Sequence, residues 1–105
     1  MFIVCVAACP TGVAHTYMAA EALEVEGKKR GYEIKVETQG GIGVENEITP
    51  SDLTRATAVI IAADVAIAGK ERFDGMIKLE CRVSDPIKFP CEIFEAIKVE
   101  VSNEQ

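Results

Sequence analysis

The stretch FIVCVAACPTGVAHTYMAAEALE, residues 2–24, places an apolar run, a turn and the start of a helix in immediate succession. Residues 2–8 are continuously apolar and rich in β-branched side chains, which is typical of a parallel strand covered on both faces. The residues PTG then reverse the chain, and a helical pattern begins at about Val13. The stretch therefore predicts a central strand and a following helix, with the Cys9 thiol at their junction.

The predicted helix over residues 13–30 is amphipathic, because its acidic side chains fall largely away from its apolar ones. The apolar positions at helical spacing are Ala14, Met18, Ala22 and Val25. The basic residues 28–30 suit the carbonyl end of the helix dipole, and Gly31 can adopt the left-handed conformation that ends a helix. We therefore interpret the basic triplet as a helix terminus rather than as a binding patch.

A second strand is predicted over residues 32–38, where apolar and charged side chains alternate as in a half-solvated edge strand. The side chains expected on the core face are Tyr32, Ile34 and Val36, and those expected in solvent are Glu33, Lys35 and Glu37. Residues 39–47, QGGIGVENE, are interpreted as a flexible connection.

Capping residues predict a short helix after this connection. Thr49 can cap it, Pro50 suits its first position, and Asp52 lies three residues after the cap. Residues 58–63, AVIIAA, have the composition of another fully buried strand, which ends at Asp64.

The last third of the chain is expected to add a strand within residues 75–80 and a helix that begins near Ser84 and breaks or bends at Pro90. This alternation of strands and helices predicts an α/β fold of the doubly wound type in one domain, residues 1–105. The expected sheet has four parallel strands in the order 2-1-3-4, with helices on both faces.

Ligands of such folds gather at the carboxyl ends of the strands. Three segments of this chain are expected to meet there: Cys9 after the first strand, residues 39–47 after the second, and Asp64 after the third. This convergence predicts a functional site at that edge of the sheet.

Composition limits the classes of partner. With 11 Lys and Arg against 17 Asp and Glu, the net charge of −6 disfavours nucleic acid and anionic membrane surfaces. No apolar run approaches the roughly 18 residues of a membrane span, which predicts a soluble domain. The apolar run at the start has no basic segment before it, so we interpret it as a strand and not as a secretion signal.

The four cysteines are Cys5, Cys9, Cys81 and Cys91. They form no CxxC pair and no metal-ligand spacing with the single histidine, His15, so neither a metal nor a disulfide framework nor another cofactor is expected. Reduced thiols of this kind are typical of cytoplasmic proteins.

Cys9 has the sequence context of a nucleophile. A thiol between a strand and a helix lies near unpaired backbone N–H groups and the positive end of the helix dipole, and both favour the thiolate. The same N–H groups could hold phosphoryl oxygens. The segment expected to bind the phosphoryl group is Pro10, Thr11, Gly12, Val13, Ala14, His15 and Thr16.

Other interpretations of this segment remain open. Cys9 could be a buried packing residue, although the PTG turn argues for an exposed position, and His15 could either act at the site or solvate the first helical turn. A cysteine phosphatase of the C-x5-R type would need an arginine where this chain has His15. Without that guanidinium, a covalent phosphoryl group would be carried rather than hydrolysed.

Four blocks of the sequence resemble the fructose-type B domain, EIIB, of the bacterial phosphoenolpyruvate-dependent sugar phosphotransferase system. The blocks are ACPTGVAHTYMAAEALE (8–24), VETQGGIGVENEIT (36–49), AVIIAADVAI (58–67) and RFDG (72–75). The resemblance implies a four-stranded parallel α/β domain in which Cys9 accepts a phosphoryl group from a phosphohistidine of the EIIA partner. It further implies transfer to a sugar, fructose or a fructose-like one, during uptake through the membrane permease EIIC.

The resemblance implies a cytoplasmic location, at the inner face of the membrane when the permease is bound. It assigns only Cys9, and the roles of residues 10–16 rest on loop chemistry. A regulatory or interaction module of the same fold, without sugar transfer, is the alternative function.

Overall fold

The computed structural model describes residues 1–10, 13–41 and 43–104, which form one sheet and the helices that cover it. The strands are β1 (Phe2–Ala8), β2 (Glu33–Gly40), β3 (Gly43–Glu45), β4 (Ala58–Ala63) and β5 (Ile77–Cys81). The helices are α1 (Val13–Lys29), α2 (Pro50–Arg55), α3 (Ser84–Lys88), α4 (Pro90–Glu104) and a 3-10 helix over Lys70–Phe73. No helix within these described ranges is long and apolar enough to cross a bilayer.

The sheet has five strands in the order β3-β2-β1-β4-β5. Its four parallel strands follow the predicted order, and the α/β prediction is confirmed. The predicted number of four strands is wrong, because the segment interpreted as a flexible connection folds back and pairs β3 antiparallel to β2. Gly43 has a φ of 99°, a conformation that glycine adopts without strain, and it pairs with Gly40 across this hairpin. Strand β2 is therefore an interior strand and not the predicted edge.

Side chains of β1 alternate between two cores, one on each face of the sheet. Ile3, Cys5 and Ala7 pack against the face covered by α1, α3 and α4. The side chains of β1 on the opposite face pack with Ile48, Phe73 and part of α2. All seven residues of β1 are buried, as predicted for a central strand with helices on both faces.

The predicted apolar face of α1 is wrong. Met18 and Val25 are 50% and 54% exposed, whereas Ala19, Leu23 and Gly27 face the sheet. A Cβ at Gly27 would lie 2.2 Å from Cγ1 of Ile34, so the absent side chain lets α1 approach β2 closely. The buried face of α1 therefore combines Leu23 with Ala19 and Gly27, which are small enough to let the helix pack closely on the sheet.

The start of α2 and the break between α3 and α4 agree with the predictions from the sequence. Thr49 Oγ1 accepts a hydrogen bond from the Asp52 N–H at 3.1 Å, and an Asp52 carboxylate oxygen accepts one from the Thr49 N–H at 2.9 Å. These two bonds form the predicted capping box of α2, with Pro50 at the first position of the helix. The C-terminal helix is broken as predicted, since Phe89 separates α3 from α4 with a φ of −133°.

Candidate functional site

Cys9 directly follows β1 at the carboxyl edge of the sheet, as predicted. The exposed position that the PTG turn favours is wrong, because Cys9 is only 5% exposed and packs in the apolar core beneath α1. In the parallel register, Ala8 lies beside both Gln39 of β2 and Ala63 of β4, so the ends of three strands meet next to the thiol. The Asp64 N–H donates to the Ala8 carbonyl oxygen at 3.1 Å and fixes the chain just before Cys9.

The predicted phosphoryl-binding segment is only partly described. Thr11 and Gly12 lie outside the described residues, and so does the side chain of Val13. Pro10, Ala14 and His15 are exposed, whereas the Thr16 side chain is buried. Helix α1 begins at residue 13, as predicted. The interpretation of residues 10–16 as a phosphoryl-binding loop stays a prediction.

Asp64 connects the end of β4 to the segment that follows β5. One carboxylate oxygen, Oδ1, accepts a hydrogen bond from the Val83 N–H at 3.1 Å and lies 3.7 Å from Nε of Arg82. The Arg82 N–H in turn donates to a carboxylate oxygen of Asp85 at 2.9 Å. These bonds bring the start of α3 to the same edge of the sheet as Cys9.

A cleft of about 200 Å³ opens between the first turns of α1 and the α3 segment. Its lining combines apolar side chains with a carboxylate, an imidazole, a hydroxyl and an ammonium group. The lining residues are His15, Met18, Asp64, Val83, Ser84, Ile87 and Lys88. Two of the predicted site residues, His15 and Asp64, therefore share one cavity, although they lie 49 positions apart in the sequence.

Within the segment predicted as a flexible connection, residues 39–40 and 43–45 belong to strands of the sheet. The Gln39 side chain bonds both backbone groups of Ala68: its Oε1 accepts from the Ala68 N–H at 2.8 Å, and its Nε2 donates to the Ala68 carbonyl at 3.0 Å. The Tyr17 hydroxyl donates to the Glu45 carboxylate, which joins α1 to β3. Hydrogen bonds thus hold β3 to α1 and the end of β2 to the turn at Ala68.

A buried ion pair lies on the α2 face of the sheet, at a position that was predicted to face solvent. Glu37 is 1% exposed, and its two carboxylate oxygens accept hydrogen bonds from Arg72 at 2.8 and 3.0 Å. Further bonds come from the Gln39 side chain at 2.7 Å and the Ile48 N–H at 2.9 Å. Burial opposes ionisation of Glu37, but the hydrogen bonds from Arg72 and Ile48 hold its pKa below the usual range.

The prediction that Glu37 is solvated is therefore wrong. Alternation along β2 placed it correctly opposite the α1 face, but the 3-10 helix covers that second face and brings Arg72 onto it. No local pattern in the sequence signals this pair, because its partners are 35 residues apart.

None of the four cysteines, Cys9 included, is among the residues that line the cleft. Cys5 is fully buried and burial raises its pKa, which confirms it as a residue of the strand core. Burial, with a smaller contribution from Asp85, raises the pKa of Cys81 to about 12. Cys91 is exposed on α4, and its sulfur lies 3.3 Å from Nη2 of Arg30. Within the described ranges, no group of three or more His, Cys, Asp or Glu side chains could hold a metal ion.

In comparisons with known proteins, this chain is similar to IIB components of the PTS. The family described as "PTS system, Lactose/Cellobiose specific IIB subunit" matches residues 4–96. The "PTS system fructose-like EIIB component 2" of Escherichia coli is 48% identical over 100 residues, which are 95% of this chain and 94% of that protein. The "2-O-alpha-mannosyl-D-glycerate-specific EIIABC component" of Escherichia coli is 54% identical over 82% of this chain, which is 13% of that protein.

Solved structures agree with these relatives. The crystal structure of a "Predicted Fructose Specific IIB from Escherichia Coli" superimposes with a TM-score of 0.94 at 36% identity and covers 99% of this chain and 92% of that one. A domain of the fructose-specific iiabc component from Borrelia burgdorferi superimposes with a TM-score of 0.88 at 44% identity and covers 91% of each chain.

Proposed function

The chain belongs to the fructose-type EIIB family of the bacterial sugar phosphotransferase system, and on that premise we propose that Cys9 is its phosphoryl carrier. Cys9 accepts the group from a phosphohistidine of an EIIA partner and passes it to a sugar, fructose or a fructose-like one, during uptake through an EIIC permease. The observation that carries the proposal is the position of the thiol at the β1–α1 junction, where three parallel strands end.

The proposed transfer has two steps. In the first, the sulfur of Cys9 attacks phosphorus, the bond from phosphorus to the histidine nitrogen breaks, and the thiol proton ends on the released imidazole. In the second, a sugar hydroxyl oxygen attacks phosphorus, the sulfur–phosphorus bond breaks, and the hydroxyl proton returns the sulfur to the thiol. Neither step consumes water, so the site must exclude water from the phosphocysteine.

Residues 10–16 are the proposed binding loop for the phosphoryl oxygens. Helix α1 begins at Val13, four residues after Cys9, and the N–H groups and positive dipole end of a helix start favour bound phosphoryl groups. The chain has no Lys or Arg before Lys28, so this loop lacks the guanidinium with which C-x5-R phosphatases polarise their phosphoryl group. That composition favours a carrier over a phosphatase.

The proposed partners follow from the family. The chain acts as one carrier domain over residues 1–105, on the cytoplasmic side of the membrane, between a donor EIIA protein and an EIIC permease. Relatives named EIIABC and EIIB'BC components contain domains of these other types by their names, which supports direct contact with the same classes of partner here. Its acidic net charge gives no basis for a nucleic acid partner.

Phosphorylation of the intact protein tests the proposal. Incubation with a phosphorylated EIIA protein should add one phosphoryl group by mass spectrometry, and Cys9→Ser should abolish the addition. Cys91→Ser is the matched control, because that thiol is exposed on α4 and should leave labelling unchanged. Full labelling of Cys9→Ser would reject the assignment.

A second measurement separates a transport component from a regulator. The phosphorylated protein is mixed with membranes that contain the permease, and loss of the label is followed with and without fructose. Sugar-dependent loss with formation of a sugar phosphate supports transfer. Loss of the label to inorganic phosphate alone, or no loss with any fructose-like sugar, would contradict it.

A further inference from the structure

Phosphocysteine at Cys9 would create a charge problem that its own loop does not solve. A phosphoryl group adds about 1.5 to 2 negative charges at neutral pH. The chain already carries a net charge of −6, and its first Lys or Arg after Cys9 is Lys28, at the far end of α1. Apart from His15, side chains that bring positive charge to the phosphoryl group would therefore come from another segment.

The segment that follows β5 supplies two cations at the required edge of the sheet. Lys88 lines the cleft together with His15, which belongs to the first turns of α1. Arg82 directly follows β5, and its side chain is 78% exposed beside Asp64. Within the part of the chain that the structure describes, Lys88 has no ion-pair partner.

The register brings Arg82 level with the end of β1. Cys81 pairs with Ala62, and the next residue of β4, Ala63, pairs with Ala8. Neighbouring strands lie about 4.8 Å apart, so the backbone at Arg82 lies two strand spacings, about 10 Å, from the end of β1. An extended arginine side chain spans most of that separation, so the Arg82 guanidinium can approach a phosphoryl group on Cys9 if it turns from Asp64 toward β1.

Arg82 is also less firmly held than the other arginines with ion-pair partners. Its Nε lies 3.7 Å from Asp64 Oδ1, whereas Arg72 and Arg55 contact their carboxylates at 2.8 Å. Asp64 Oδ1 already accepts the Val83 N–H, so it can keep the loop in place when the guanidinium leaves. Moving Arg82 from a carboxylate to a phosphoryl dianion would give it a more highly charged partner.

We propose that Arg82 and Lys88 form an electrostatic clamp that stabilises the phosphoryl group on Cys9, in place of the arginine that the Cys9 loop lacks. The clamp rests on the proposed function, because it has no role without a phosphocysteine. The charged and titratable groups that face it are His15 from α1, Asp64 after β4 and Asp85 of α3. It makes the phosphorylated state favourable without placing a guanidinium inside the nucleophile loop.

The test uses ³¹P NMR on phosphorylated wild-type protein and on Arg82→Gln, Lys88→Gln and the double variant. Loss of nearby positive charge raises the pKa of the second phosphate ionisation, by about half a unit for each single variant and about one unit for the double variant. The equilibrium constant for phosphoryl transfer from a fixed EIIA donor to Cys9 should fall about threefold for each single variant. Both effects should shrink in high salt, because screening already weakens the clamp.

Lys98→Gln is the matched control, because Lys98 is an exposed lysine on α4 that does not line the cleft. It should shift neither quantity. The comparison is repeated in a His15→Gln background, so that protonation of the imidazole does not contribute to the titration. Unchanged ionisation and unchanged equilibrium in the double variant would overturn the clamp, whereas no phosphorylation of the wild type would instead overturn the proposed function.

Discussion

The two faces of the sheet are stabilised in different ways. The α1 face is covered by α1, α3 and α4 and has an apolar core in which Leu23, Phe94 and Ile97 are fully buried. The opposite face is covered by α2, which has six residues and none fully buried, and by the four-residue 3-10 helix. That second face contains the Glu37–Arg72 ion pair next to Phe73.

The difference between the two faces shows that short helices on a sheet need hydrogen bonds as well as apolar burial to hold their position. A long helix buries enough apolar surface to hold its position, because the free energy gained is roughly proportional to the area removed from water. The 3-10 helix buries one large side chain, Phe73, and it and the turn before it are also fixed by side chains that bond their backbone. Arg72 and Gln39 make such bonds to the Ala68 carbonyl, and that turn continues from Asp64 at the site edge.

The largest effect is expected on the apolar face. Phe94→Ala removes a fully buried ring and should lower the free energy of unfolding by about 4 kcal/mol. Phe89→Ala, at a ring that is 51% exposed, should cost less than about 1 kcal/mol. Urea denaturation followed by circular dichroism measures both, and equal losses would contradict the view that packing stabilises this face.

Breaking the ion pair should cost somewhat less. Arg72→Ala leaves the buried Glu37 carboxylate without its main partner and should lower the free energy of unfolding by about 3 kcal/mol. The control is Lys70→Ala, which breaks an exposed pair with Glu80 and should cost less than about 1 kcal/mol. A loss for Arg72→Ala as small as for Lys70→Ala would mean that the second face does not depend on its charges.

The close approach of α1 to the sheet predicts a smaller change in the free energy of unfolding. Its sign is opposite to that of the same substitution in an exposed helix. Gly27→Ala should lower the free energy of unfolding by about 1–2 kcal/mol, because the new Cβ overlaps the Ile34 side chain. In an exposed helix the same change would stabilise by up to about 1 kcal/mol. In an Ile34→Ala background the overlap disappears, so the penalty of Gly27→Ala should fall; a penalty that persists would place its cause elsewhere.

The smallest expected difference is in acid sensitivity. The folded-state pKa of Glu37 lies below the unfolded value of about 4.3, so its contribution to stability is complete above that pH and is lost as the pH falls through the lower folded value. Stability of the wild type measured from pH 5 to pH 3 should therefore fall more steeply than that of Glu37→Gln. Parallel curves would show that Glu37 does not contribute to acid unfolding.

Local features of the fold and site could be predicted from the sequence. The buried strands β1 and β4, the capping box at Thr49 and the break at Pro90 depend on neighbouring residues and were predicted correctly. The position of Cys9 after the first strand was correct for the same reason. Of the residues that line the cleft, only His15 and Asp64 were predicted as site residues, because Ser84 and Lys88 reach the cleft only when α3 packs against α1.

The wrong predictions concern features that depend on contacts between segments far apart in the sequence. Strand β3 depends on pairing with β2, and the inward face of α1 depends on how closely Gly27 allows the helix to approach Ile34. The burial of Glu37 depends on Arg72, which is remote in the sequence. None of these contacts has a periodic signal along the chain.

The sequence by itself determined the alternation of strands and helices, the family and the place of the thiol at a strand end, because these follow from hydrophobic runs, turn residues and a contiguous motif. Only the tertiary structure decided which face of α1 is buried, that a fifth strand completes the sheet, and that Glu37 lies in the interior. The physical reason is that burial and ion pairing are properties of surfaces in contact. Those surfaces exist only after segments far apart in the chain have excluded water from between them.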